Sequence, residues 1–172
     1  MTRTARVRHV PLARRAVLAG LLAGCSTGYT PPPPSAAAAL HLVNKTVTPM
    51  AVHLYDEAAE CKGRRMLDVL KPQEERVVLV PSGQDLAFAI APDVKLDYSP
   101  SPDRVATGCI VTLSFKPVQG ESYVFRMDSD GYRCIYQLNE LSKAKEGLAA
   151  QAPFIKRDAI RATNEAGPFC RK

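Results

Sequence analysis

Thr107-Gly108-Cys109-Ile110-Val111-Thr112-Leu113-Ser114-Phe115-Lys116 alternates with the two-residue period of a pleated strand. Cys109, Val111, Leu113 and Phe115 share one face, and Ile110, Thr112 and Ser114 share the other. Pro117-Val118-Gln119-Gly120 then turns the chain into Glu121–Met127, where Tyr123, Phe125 and Met127 alternate again. Asp128-Ser129-Asp130-Gly131 leads into Tyr132–Leu138, with Tyr132, Cys134, Tyr136 and Leu138 in phase. Asp-Gly between two alternating runs is a strong hairpin signal, because glycine accepts positive φ without steric cost. The pattern predicts three successive antiparallel strands with Cys109 and Cys134 facing inward.

The same texture extends upstream to Leu40. Leu40–Thr46 and Met50–Asp56 read as strands joined by Val47-Thr48-Pro49, and Met50, Val52 and Leu54 alternate with Ala51, His53 and Tyr55. Arg64–Leu70, Glu74–Val80 and Asp85–Ala91 follow as further strands. Val77-Val78-Leu79-Val80 is apolar on both faces and predicts a central strand. Residues 92–106, with three prolines and three aspartates, form a long surface loop, the best place for an added function. Downstream, Leu141, Ala144, Lys145 and Leu148 have helical spacing, so a short amphipathic helix is expected over Asn139–Gln151. Phe154-Ile155 reads as an edge strand, and Cys170 ties down a polar tail. The expected fold is therefore all-β: one disulfide-stabilised antiparallel β-sandwich, transthyretin- or immunoglobulin-like, with a short C-terminal helix.

The amino-terminal end has a different character. Arg14-Arg15 precede the apolar run Ala16–Leu22, which closes in Leu22-Ala23-Gly24-Cys25. That run is seven residues long, far short of the roughly 20 that a spanning helix requires, and the layout is that of a secretory signal. Leu22-Ala23-Gly24-Cys25 also resembles the lipobox of bacterial lipoproteins. The resemblance implies that Cys25 receives a diacylglycerol, becomes the first residue after cleavage and is acylated on its new amino group. Ala13 and Val17-Leu18 fit a twin-arginine signal poorly, so the general export route is expected. Ser26 after the lipobox cysteine implies the outer membrane, facing the periplasm. The chain then divides into a signal peptide (1–24), a lipidated Pro/Ala-rich tether (25–39) and a β-sandwich domain (40–172). Within the tether, Pro31–Pro34 form an extended, semi-rigid spacer and Ala36–Ala39 are linker.

Charge narrows the function. The full chain carries +6, but five of its 23 basic residues lie in residues 1–24, which hold no acid. The remainder has 18 basic and 17 acidic residues, a net charge of +1, and no basic run with interleaved aromatics. A nucleic-acid partner is not expected. With Cys25 lipidated, Cys61, Cys109, Cys134 and Cys170 are an even set in an oxidising compartment, and their spacings are too wide for a zinc clip. Three pairings are open. Cys61–Cys109 with Cys134–Cys170 is the preferred one, since it closes long loops.

No chemistry-bearing motif stands out. After the signal only His41 and His53 remain, both in predicted strands, with no Gly-x-Ser-x-Gly elbow. Asp128-Ser129-Asp130-Gly131 opens like a calcium loop, but its twelfth position is Asn139 where a bidentate glutamate is needed. Glu74-Glu75 read as a solvated pair at a strand start. No catalytic residue, metal or cofactor is expected beyond the covalent lipid on Cys25. The expectation is a non-catalytic interaction or structural module, held at the membrane by its lipid and working with an envelope protein partner. Two alternatives stand beside it. Segment 42–55 is loosely similar to the first strands of transthyretin-like secretion-system lipoproteins, which implies docking to a large membrane protein. A cell-wall-directed enzyme or inhibitor is the other.

Overall fold

A computed structural model of the chain describes residues 28–93, 109–130, 133–145, 148–160, 162–164 and 166–171. Two sheets stack face to face. The first has the order β4-β1-β7-β8-β9, built from β1 (Ala37–Asn44), β4 (Glu75–Pro81), β7 (Ser122–Ser129), β8 (Cys134–Lys145) and β9 (Leu148–Gln151). The second has the order β11-β10-β6-β5-β2-β3, built from β2 (Met50–Glu57), β3 (Lys62–Leu70), β5 (Leu86–Pro92), β6 (Val111–Phe115), β10 (Ile155–Ala159) and β11 (Cys170–Arg171).

The alternation noted in the sequence is what fills the space between them. Leu40, Leu42, Tyr123, Phe125, Met127 and Leu138 project from the first sheet onto Met50, Val52, Leu54, Phe88, Ile90 and Leu113 of the second. Phe88 is fully buried and meets Phe125 edge-on at 5.1 Å and Phe115 at 6.1 Å. Each such side chain contributes about 1.5–3 kcal/mol through burial, and edge-to-face geometry suits the ring quadrupoles. With tryptophan absent, this phenylalanine cluster is the bulkiest part of the core.

Four expectations are corrected. First, β6 and β7 do not form a hairpin. Pro117–Gly120 carries the chain from one sheet to the other, and β7 instead pairs parallel with β1, Leu40 opposite Tyr123 and Leu42 opposite Phe125. One apolar face on each strand is satisfied equally by lying side by side or by stacking across a core, so periodicity does not choose. The turn itself is tied elsewhere: Gly120 N–H donates to Ala37 O and Gly83 N–H to Pro117 O. The β7–β8 hairpin predicted from Asp130-Gly131 is present, Ser129 opposite Cys134.

Second, β4 is an edge strand, not a central one. It pairs only with β1, and Val77 stands 53 % exposed. Third, the described residues of the expected helix, 139–145 and 148–151, are strand. The strand begun at Cys134 runs on to Lys145 and pairs back with β9, Asn139 opposite Gln151 and Glu140 opposite Ala150. Extending a ladder already nucleated costs less than starting a helix of about 12 residues, which is marginal by itself. Fourth, the segment read as tether and linker belongs to the domain from Gly28 onward. Pro34–Ala36 make a single 3-10 turn, Ala37–Ala39 enter β1, and Ala37 and Ala38 are buried.

Candidate functional site

Cys25 and most of loop 92–106 lie outside the described residues. The four other cysteines form two disulfides, Cys61–Cys170 and Cys109–Cys134. This replaces the expected Cys61–Cys109 and Cys134–Cys170 pairing. Cys109 stands just before β6 and Cys134 opens β8, so the bond clamps one sheet to the other at one end of the core. Cys61 lies in the β2–β3 turn, which is where the C-terminal tail ends. Loop length could not decide between pairings, because closure entropy grows only logarithmically with length.

That tail closes the outer face of the second sheet. Across this face Tyr55, Ala87 and Ser114 are neighbours in one row, and His53, Ala89 and Thr112 in the next. Tyr55, Ala58, Cys61, Ala87, Ala89 and Cys170 form a second small apolar cluster, with Phe169 packed against it. The Phe169 ring lies 5.9 Å from that of Tyr55, and the Arg64 guanidinium sits 4.3 Å above it. Phe169 N–H donates to the carbonyls of Glu60 and Cys61. Small residues at 87, 89, 112 and 114 make room for this cover, and Arg157 Nε donates to Ser114 Oγ at 2.8 Å.

Among the described residues the outer face of the first sheet is partly exposed, with Val43 buried on it. One row across it reads Val77, His41, Val124, Asn139 and Gln151 from edge to edge. The row beside it reads Glu75, Val43, Arg126 and Gln137. Ile135 and Leu141 add exposed apolar surface, 50 % and 39 % accessible. His41 and His53 sit on different sheets and face away from each other's neighbours, so the structure does not bring the two histidines into one site.

The carboxylates singled out in the sequence are used locally. Asp128 Oδ1 accepts the Ser129 N–H and Asp130 Oδ1 the Arg133 N–H, each at 2.7 Å, as turn residues do. Glu74 accepts the Lys71 N–H at 2.7 Å and an Arg76 N–H at 2.6 Å, and these contacts hold its carboxyl below the ordinary value. Among the described residues no three His, Cys, Asp or Glu side chains are placed to hold a metal ion. A shallow, open depression of about 340 Å³ is lined by Gln151, Ala152, Pro153 and Phe154, which bring no acid, base or nucleophile.

Two polar features carried no signal in the sequence. Asn44, buried among apolar neighbours, donates from Nδ2 to the carbonyls of Thr48, Leu70 and Lys71 and accepts from the N–H and hydroxyl of Thr46. It locks the crossing from β1 to β2 onto the turn after β3. The other is an N-terminal strap. Gly28 forms a parallel bridge with Met66, Tyr29 N–H donates to Met66 O at 3.3 Å, and the Tyr29 hydroxyl donates to Leu79 O at 2.7 Å. Met66 lies in β3 and Leu79 in β4, edge strands of opposite sheets, so Tyr29 spans the open side of the sandwich. Burial pushes its phenol up to about 12. Beside it, Arg76 of β4 meets Asp68 of β3 at 2.8 Å, and farther on Gln119 donates to Ser35 O.

No helix among the described residues is long and apolar enough to cross a membrane. The chain matches no protein-family model. A search of curated proteins likewise finds no match.

Proposed function

We propose that the protein is a lipid-anchored lipoprotein of the bacterial cell envelope whose β-sandwich is a non-catalytic interaction or structural module. The observation that carries this reading is Cys25. It closes Leu22-Ala23-Gly24-Cys25 after an arginine pair and a short apolar run, and the other four cysteines of the chain are joined to one another. Cys25 is thus the cysteine left for lipid. Two disulfides suit an exported, oxidising compartment. Two or three acyl chains on Cys25 hold a domain at a bilayer far more firmly than one, at about 0.8 kcal/mol per buried methylene. The outer face of the first sheet, from Val77 through His41 and Val124 to Asn139, is the surface offered to a protein partner in the periplasm.

Mass spectrometry of the full chain extracted from membranes tests the anchor. The expected result is a chain beginning at Cys25 with diacylglycerol and acyl mass, which Cys25→Ala abolishes together with membrane retention. An unmodified chain released to the periplasm would end the proposal. Photocrosslinkers at Val77 and Val124 in intact cells then read the partner. A single envelope protein captured from both positions supports the interaction module, and a secretion complex would assign the docking role.

A further inference from the structure

We infer that this protein has no free tether, and that its β3 edge, around Met66 and Arg64-Arg65, rests on the bilayer surface. The inference builds on the lipidation of Cys25 proposed above. Only Ser26 and Thr27 separate Cys25 from Gly28, and three steps of fully extended chain reach at most about 10 Å. Gly28 is already part of the domain, bridged to Met66 in β3. Tyr29 is pinned twice, by its amide on Met66 O and its hydroxyl on Leu79 O, and its ring packs against the main core. The four prolines that look like a spacer therefore lie downstream of the attachment point, running along the sandwich toward β1. Their stiffness holds the strap against the protein and adds no distance from the membrane.

The backbone of Cys25 must then sit within about 10 Å of Gly28, which is bridged to the β3 edge. Met66 is 39 % exposed there. The Gly28–Met66 bridge is parallel, so Gly28 enters the domain beside the stretch of β3 that carries Arg64, Arg65 and Met66. Arg65 is paired with Asp56 and Arg64 lies on Phe169, so both guanidinium groups are held at this edge, next to Met66 in sequence. The opposite end of the same sheet is remote. Ile155 of β10 is separated from β3 by β6, β5 and β2, four strand spacings or about 19 Å.

The chain lacks tryptophan, which makes single-tryptophan reporters clean. Met66→Trp and Ile155→Trp are introduced separately into the full lipidated chain. Each is reconstituted in phosphatidylethanolamine–phosphatidylglycerol vesicles bearing a nitroxide at headgroup level. Both positions are exposed, so neither substitution disturbs the core. The expected result is several-fold stronger quenching at position 66 than at 155. A 12-residue Gly/Ser insertion between Thr27 and Gly28, outside the fold, should bring position 66 down to the level of 155. Equal quenching at both positions in protein whose mass shows lipid on Cys25 overturns the orientation and leaves the anchor standing. Quenching that survives the insertion overturns the short link as its cause. Absence of lipid mass on Cys25 takes down the anchor and the orientation together.

Discussion

The Tyr29 hydroxyl donates to the Leu79 carbonyl at 2.7 Å, fifty residues along the chain, while the Tyr29 amide is held by Met66 of the opposite sheet. One residue, through its amide and its hydroxyl, thus ties together two edge strands that no ladder joins. Tyr29→Phe removes the hydroxyl and keeps the ring, so the loss is one hydrogen bond and the orphaned Leu79 carbonyl, about 0.5–1.5 kcal/mol. Urea unfolding of wild type and variant measures it as a lower midpoint with unchanged slope.

The same phenol makes stability depend on alkaline pH. Its folded value, about 12, lies above its ordinary value of 10.0 because burial disfavours the phenolate. The fold therefore prefers the protonated form. This contribution is complete below about pH 10 and is lost as pH rises through about 12. Unfolding midpoints recorded from pH 9 upward should fall less in Tyr29→Phe than in wild type, with the phenolate absorbance of one tyrosine appearing late only in wild type.

Acid acts on a neighbouring group. Arg76 and the Lys71 amide hold the Glu74 carboxyl below its ordinary value, so its contribution is present above that value and lost as pH falls through the depressed one. The group is exposed, and the effect should be small and screened by salt. Glu74→Gln is expected to flatten the acid limb of the stability curve below the ordinary carboxylate range, read by thermal melts at low ionic strength.

Asn44 presents a harsher test. Asn44→Ala takes the Nδ2 donor from the Leu70 carbonyl and the Oδ1 acceptor from the Thr46 N–H in a buried place, each group worth about 1–3 kcal/mol when unsatisfied, while Thr48 O keeps the Thr46 hydroxyl and Lys71 O keeps the Glu74 N–H. A total loss of about 3 kcal/mol or more is expected. Asn44→Asp should be worse at neutral pH, because it aims a charged oxygen at the carbonyls of Thr48, Leu70 and Lys71. It should partly recover in acid, where the carboxyl regains a donor. Denaturant melts at two pH values decide it.

The two disulfides should fail differently. Cys109–Cys134 joins the sheets across 25 residues and Cys61–Cys170 closes 109, about 3.5 and 5 kcal/mol in the chain-entropy picture. Replacing Cys109 and Cys134 by Ala should lower the global midpoint. Replacing Cys61 and Cys170 should also release Phe169 from Tyr55, so that limited proteolysis cuts the tail near residues 160–168 before the sandwich unfolds. Peptide mapping of the native protein under non-reducing conditions checks the pairing itself.

Most strands were legible from alternation, since Val111, Leu113 and Phe115, or Tyr123, Phe125 and Met127, must share a face in any pleated backbone. What they face was not. The same pattern fits a hairpin neighbour or a partner across the core, which is why β6 and β7 part at Pro117. The expected helix over Asn139–Gln151 failed because its leucines also fit an extended strand with a β9 partner waiting. Tyr29, Asn44 and the Arg157–Ser114 contact left no trace in sequence, because each joins residues 26 to 50 positions apart and serves chain ends and crossings that have no period.

By itself the sequence determined an all-β sandwich with an inward phenylalanine and leucine set, because side-chain alternation and apolar content are properties of each short segment. It also places Cys25 at the end of Leu22-Ala23-Gly24-Cys25, a matter of local order alone. Only the tertiary structure decided the cysteine partners, the parallel β1–β7 pair, the edge position of β4 and the docking of Gly28–Ala36. Those depend on which distant segments meet, and that is set by the shared burial of both sheets rather than by any one stretch.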